Sequence, residues 1–297
     1  MQNQTKAYCY AGATVCLWGT VASAFKLSLN HLTPAQLLCY AAWASLGVLL
    51  AIALGSGSLP RMARWGRQEW SRSLIMGLLN PTAYYLVLFE AYHRLPAQEA
   101  QPLNFSWPVV LVLLSWLFLG QRIRLLGLVA LLVSFTGVVI IATRGQGFAL
   151  TDPLGVGLAL GSTLLWAGYW ILGIKDPREP VLGLTANFMV GALLTSLWLL
   201  AVEGWRIPPL PGLAGALYVG LFEMGVTFVF WLQALRLSRT TAQVSNLIYL
   251  TPFLSLVVIH LVVGEPIYPS TLVGLALIVG GILLQQYAAR REEPGAG

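Results

Sequence analysis

Polar positions in this chain come in short bursts, and between them run ten stretches of about twenty residues that are apolar almost throughout. A helix needs about 20 apolar residues to cross a hydrocarbon core about 30 Å thick. The stretches predict membrane-spanning helices over Ala7–Leu29, Pro34–Leu54, Ser73–Tyr92, Gln98–Leu119, Leu125–Ala142, Pro153–Gly173, Pro180–Val202, Leu213–Leu235, Thr240–Val263 and Tyr268–Ala288. They are too long and too uniformly apolar for barrel strands of about ten alternating residues. Helices also satisfy their own backbone polar groups, which lipid cannot do. Almost nothing is left over for a soluble domain. The first stretch reads as a span rather than a cleaved signal peptide, and the charged tail, residues 291–297, as disordered.

Composition agrees. Apolar residues make up 57% of the 297 positions and charged ones 9%; a soluble domain is nearer half apolar and a quarter charged. The net charge of +6 is spread between the stretches rather than gathered on one patch, which argues against a nucleic-acid partner. With the N-terminus inside, the cytoplasmic side collects Lys6, Arg61, Arg64, Arg67, Arg72, Arg122, Arg124, Lys175, Arg178, Arg236, Arg239, Arg290 and Arg291, 13 of the 17 basic residues. Lys26, Arg94, Arg144 and Arg206 fall on the other side. That asymmetry places both termini in the cytoplasm. Cys9, Cys16 and Cys39 read as small packing residues, not as a disulfide or metal site.

The two halves echo each other. Asn104-Phe-Ser-Trp-Pro108 is followed by Gly120-Gln121, and Ile248-Tyr-Leu-Thr-Pro252 by Gly264-Glu265, all at an offset of 144. Leu17-Trp18-Gly19 and Leu165-Trp166-Ala167 recur at an offset of 148. The chain thus divides into residues 1–145 and 146–290, five spans each. Five is odd, so the second unit enters the membrane from the opposite side. An inverted repeat of this kind is a transporter signature, because a pseudo-twofold axis in the membrane plane relates outward-open and inward-open states. The expected fold is all-α: ten transmembrane helices as two inverted five-helix repeats around a central cavity.

These features resemble the drug/metabolite transporter superfamily. Each unit, with its tryptophan-bearing first helix and an inner helix running Pro-x11-Gly-Glu/Gln, is similar to one EamA-type domain. Within that superfamily, Leu103-Asn-Phe-Ser-Trp-Pro108 through Gly120-Gln121 resembles the YddG-type aromatic amino acid exporters. Gln121 stands where many members carry Glu, while Glu265 keeps the acid. The resemblance implies a basket-like bundle with a central cavity.

Polar and kinked positions deep in the membrane are costly and therefore informative. Glu223 falls near the bilayer centre, where a carboxylate can bind an ammonium or carry a proton; the neutral or hydrogen-bonded structural acid is the alternative. Asn80 is its counterpart by offset. Pro81, Pro108 and Pro252 each interrupt a helix and free the carbonyl four residues back, at Gly77, Asn104 and Ile248; they are read as kinks that open space or permit bending. Trp18, Tyr84, Tyr85, Trp107, Trp166, Tyr169 and Tyr249 lie deep enough to wall a pocket for a flat apolar side chain, and Asn104 can both donate and accept. The candidate substrate site is therefore Trp18, Asn80, Tyr84, Tyr85, Asn104, Trp107, Trp166, Tyr169, Glu223 and Tyr249. Glu90 and Arg94 read as a local pair, and Lys26 as reaching out to the headgroups.

No phosphate-binding loop, metal cluster or catalytic set is present in the sequence, so no ATP, metal or other cofactor is expected. The sequence predicts a secondary carrier of the inner membrane, not an enzyme. It would export aromatic or bulky apolar amino acids by alternating access, with a small-molecule substrate and the lipid bilayer as its partners. Export of drugs or other metabolites is the nearest competing reading; a lipid scramblase or membrane enzyme is the distant one. Short connections permit a monomer and leave the oligomeric state open.

Overall fold

The computed structural model describes residues 2–119, 125–146, 150, 152–174, 176–238 and 246–290. Gly120, Gln121, Arg122, Arg124, Lys175, Arg239, the first residues of the ninth predicted span (240–245) and the tail 291–297 lie outside them. Regular structure among the described residues is entirely helical. We label the long helices α1 (Gln2–Leu29), α2 (Pro34–Gly55), α3 (Arg67–Arg94), α4 (Ala97–Asn104 continued by Trp107–Leu119), α5 (Leu125–Ala142), α6 (Pro153–Ile174), α7 (Pro180–Val202), α8 (Leu210–Leu237), α9 (Asn246–Leu250 continued by Thr251–Val258 and Ile259–Val263) and α10 (Pro269–Arg290). Nine are long and apolar enough to cross a membrane; the described part of α9, Leu247–Val263, is shorter.

Local sequence explains the helix ends. Thr33 caps α2, accepting from the Gln36 backbone N–H while Gln36 Oε1 accepts from that of Thr33, both at 3.2 Å, and Pro34 fills the first turn. Glu179 does the same for α7, accepting from the Val181 and Leu182 N–H groups at 3.2 and 2.8 Å ahead of Pro180. Gly264, with φ 79°, takes the left-handed cap that ends α9.

The helices alternate between two ends of the bundle. One gathers the connections around Thr33, Leu95, Arg144, Glu203 and Pro266. Thr33 Oγ1 donates to Glu203 Oε2 at 2.9 Å, Arg144 Nε to Glu99 Oε1 at 2.6 Å, and the Ala97 and Gln98 N–H groups to the two Glu265 oxygens at 3.0 and 3.1 Å. Lys26 belongs to this end, and here the sequence expectation fails. Its ammonium does not reach for headgroups; it donates to the Tyr92 and Leu95 carbonyls at 2.9 and 2.7 Å. The last carbonyls of α3 are orphans with partial negative charge, and they hold the ammonium more closely than the interface would. At the opposite end Arg178, itself buried, ties Asp176 to α3 and α7. Its nitrogens meet Asp176 Oδ2 at 2.7 Å, the Glu69 carbonyl at 3.2 Å, Ser73 Oγ and Asn187 Oδ1. Of the cysteines, Cys39 is buried, while Cys9 and Cys16 are exposed on the flank of α1 instead of packing inside.

Two sets of close contacts recur across the halves. At its centre α3 has a π-helical turn, Leu78–Ala83, and α8 has one at Gly220–Gly225. Each widened turn leaves a carbonyl that a threonine hydroxyl five residues on takes up: Thr82 to the Gly77 carbonyl at 2.8 Å, and Thr227 to that of Phe222. Beside these turns, glycine lets backbones touch. A Cβ on Gly77 would lie 2.5 Å from the Asn187 carbonyl oxygen of α7, and one on Gly220 2.4 Å from that of Ala41 in α2. The second set is the seam between α5 and α10. A Cβ on Gly137 would meet the Gly274 carbonyl oxygen at 2.4 Å, and one on Gly281 the Ala130 carbonyl oxygen at 2.6 Å. As residue numbers rise along α5 they fall along its partner, so the two helices run antiparallel. Small residues are how membrane helices come this close.

Candidate functional site

Helices α1, α3, α4, α6, α8 and α9 surround a cavity of about 310 Å³. Its wall is built helix by helix. From α1 come Trp18, Val21, Ala22 and Phe25, one face at helical spacing; from α3, Tyr84, Leu88 and Tyr92, each a turn apart. The break in α4 presents Gln101, Asn104, Phe105, Trp107 and Leu111, and α6 adds Trp166 and Trp170. Glu223, Trp231 and Leu235 come from α8, and Ile248, Tyr249 and Thr251 from the start of α9. Ten of these twenty residues are aromatic. Two larger hollows, about 540 and 460 Å³, open on the flank of the bundle between α1, α8 and α9 and between α2, α3 and α7. Their walls hold no carboxylate, so the smaller central cavity is the better site.

Trp166 organises the rings. Tyr84 and Tyr169 lie nearly parallel to it at 4.7 and 5.9 Å, and Trp107, Trp170 and Phe228 meet it edge-on at 6.5, 5.8 and 5.8 Å. Trp18 packs on Phe228 and Trp231, and its indole N–H donates to the Glu223 carbonyl at 3.3 Å, pinning α1 to the π turn of α8. The Asn104 amide is oriented from both sides: Nδ2 donates to Ser162 Oγ at 2.9 Å, and Oδ1 accepts from the Tyr84 hydroxyl at 3.3 Å. Tyr85 donates to Glu223 Oε1 at 3.0 Å, leaving Oε2 buried and without a hydrogen-bond partner among the described residues.

Seven of the ten residues singled out in the sequence line this cavity: Trp18, Tyr84, Asn104, Trp107, Trp166, Glu223 and Tyr249. The other three stand behind it. Tyr85 reaches Glu223 from the rear, and Tyr169 backs Trp166 and accepts from Asn187 Nδ2 at 3.5 Å. Asn80 is fully buried, in extended backbone (φ −143°, ψ 116°), outside the cavity wall. Pro81, Pro108 and Pro252 all stand at breaks: Pro81 in the π turn of α3, Pro108 and Pro252 in the first turn of the longer pieces of α4 and α9. The Gly77 carbonyl that Pro81 frees is already taken by Thr82. Phe25, Tyr92, Gln101, Phe105, Trp170, Trp231 and Thr251 escaped the sequence reading. Some signals were there: Phe105 sits inside the Asn-Phe-Ser-Trp-Pro run, Thr251 abuts Pro252, and Trp170 is one turn from Trp166.

The model of the EamA-like transporter family matches this chain twice, over residues 5–143 and 153–285. The chain belongs to the EamA-like transporter family. An uncharacterised transporter of Bacillus subtilis, YvbV, is 29% identical over 95% of this EamA-like chain and 92% of its own length. A probable terminal-alkyne amino-acid exporter of Streptantibioticus cattleyicolor is 28% identical, covering 94% of each. The aromatic amino acid exporter YddG of Ancylobacter novellus is 25% identical over 93% of this chain and 96% of its own. A crystal structure 23% identical in sequence superposes with a TM-score of 0.69 over 97% of this chain and 99% of that one, which fixes the fold. This EamA-like protein is a multi-pass membrane transporter for a small molecule, not an enzyme.

Proposed function

We propose that this protein exports aromatic or bulky apolar amino acids across the inner membrane by alternating access, with both termini in the cytoplasm. The observation that carries the reading is the ring-walled central cavity with Asn104 and Glu223 in its wall. Its size is at the small end of ligand pockets, about 300 Å³ and upward, and fits one amino acid. Stacked and edge-on rings suit a flat side chain, and the amide and carboxylate suit its polar end. The relatives named as exporters of aromatic and terminal-alkyne amino acids point the same way.

Alternating access is supported by the doubled architecture: matching π turns in α3 and α8, proline breaks in α4 and α9, capped X-Pro starts in α2 and α7, and the antiparallel pairing of α5 with α10. The orientation rests on Arg61, Arg64, Arg67, Arg72 and Arg178 gathering at one end of the bundle. The test is uptake of labelled tryptophan or phenylalanine by liposomes holding the purified protein. Uptake above that of empty liposomes is expected. None, alongside uptake of another solute class, overturns the substrate.

A further inference from the structure

The polar atoms of the cavity wall are unequal in kind. Four are buried and have no hydrogen-bond partner among the described residues: Glu223 Oε2, Gln101 Oε1, Thr251 Oγ1 and Trp170 Nε1. The carboxylate and amide oxygens only accept, the hydroxyl does either, and the indole only donates. Among the described residues the wall has no Arg, Lys or His. The nearest basic residue in sequence, Lys26, follows the wall residue Phe25 but commits its ammonium to the Tyr92 and Leu95 carbonyls. The one formally charged group in the wall is therefore a carboxylate, already accepting from Tyr85.

We propose that this cavity recognises its ligand by an ammonium group, and that a carboxylate on the same molecule is dispensable: the substrate class is aromatic amines, of which aromatic amino acids are one case. The proposal rests on the cavity being the substrate site and narrows what that site reads. Buried acceptors left unmade are expensive, and an ammonium, which only donates, is the complement of acceptors such as Glu223 Oε2 and Gln101 Oε1. The surrounding ring faces carry negative potential and add to the attraction for a cation. Among the four unpartnered atoms a carboxylate finds one N–H, on Trp170, and one hydroxyl, on Thr251, with the Asn104 and Gln101 amides the further neutral donors in the wall. It must also sit with the Glu223 carboxylate in a space of low dielectric, where like charges repel strongly.

The experiment compares three indoles by thermal shift and calorimetry on the full chain in nanodiscs at neutral pH: tryptophan, tryptamine, which lacks the carboxylate, and indole-3-propionate, which lacks the amine. Binding is measured because neutral tryptamine leaks across liposome membranes. Tryptamine and tryptophan are expected to stabilise the protein, and indole-3-propionate to do so at least tenfold more weakly. Glu223→Gln should weaken tryptamine by roughly tenfold or more, the scale of a lost charge-assisted hydrogen bond. Indole-3-propionate binding as well as tryptamine overturns the proposal and leaves amino acid export standing. Tryptophan binding without tryptamine also overturns the proposal, because the carboxylate is then required, and tryptamine binding without tryptophan overturns the inclusion of amino acids and amino acid export with it. Binding of none of the three overturns both. The wild-type series decides even if the variant fails to fold.

Discussion

Helices α3 and α8 are built alike and used differently. Each spans 28 residues, widens into a π turn at its middle, patches that turn with a threonine and touches a neighbour through a glycine. In α8 the polar residue of the turn is Glu223, which lines the cavity. In α3 it is Asn80, fully buried outside the cavity. The difference follows from what stands next to it. Pro81 forces Asn80 out of helical backbone, and the proline ring lies against α7, 2.4 Å from where a Cβ on Gly191 would be. In α8, Met224 occupies the position after the acid, and the irregular backbone falls on Gly225 (φ −106°, ψ −96°). One scaffold, used twice, thus yields one cavity-facing turn and one packing turn. Arg178 braces only the second, through Ser73, Met76 and Asn187.

That contrast can be broken in order of expected effect. Glu223→Ala should lower substrate affinity by roughly tenfold to a hundredfold, read in transport by proteoliposomes, because it removes a buried charge-assisted contact. Equal activity to wild type would show that both turns are structural. Gly77→Ala and Gly220→Ala should each destabilise the purified protein by about 1–3 kcal/mol, since the added methyl meets backbone oxygen at 2.5 and 2.4 Å; melting curves should show comparable losses, and a loss at one site alone would mean that the two contacts are not equivalent. Trp107→Ala should weaken binding of an indole several-fold, about 1 kcal/mol of ring contact, and leave the melting temperature of the empty protein nearly unchanged. The brace beside Asn80 should respond to acid. Burial works against ionisation of Asp176, but the hydrogen bonds and charge of Arg178 outweigh it and hold the carboxyl below the usual range. Its contribution is therefore complete above the unfolded value, about 3.9, and is lost as pH falls through the lower folded one. Asp176→Asn should remove that acid-dependent step in the melting temperature. Smallest of all, Asn80→Leu should leave transport within about twofold, because Asn80 is buried outside the cavity wall. A larger loss would place Asn80 in the path of the substrate.

The spans were legible because about twenty apolar residues in lipid have few alternatives: both predicted ends of α7, and the predicted C-terminal end of α5, coincide with those of the structure. The breaks were legible because proline cannot continue a helix, and Pro81, Pro108 and Pro252 announce them. The rotation of each helix was not. A segment apolar on every side carries no phase, so nothing in α1 says that Phe25 faces the cavity while Tyr8, 43% exposed, faces out. The π turns made matters worse, since each inserts a residue into the helical count and changes which later side chains share a face. That is why Tyr85, adjacent to a wall residue, could not be told from one. Lys26 misled for a different reason: headgroups are the default partner of a lysine near a span end, and only the fold brings the end of α3 within reach.

The seam between α5 and α10 has a mechanical consequence. Gly137, Gly274 and Gly281 let the two backbones meet with no room for even a methyl group, and neither helix contributes to the cavity wall. Surfaces in such contact resist being parted or slid, yet can twist about their shared line. Twisting about that line, rather than separation across it, is the motion between α5 and α10 that keeps these contacts.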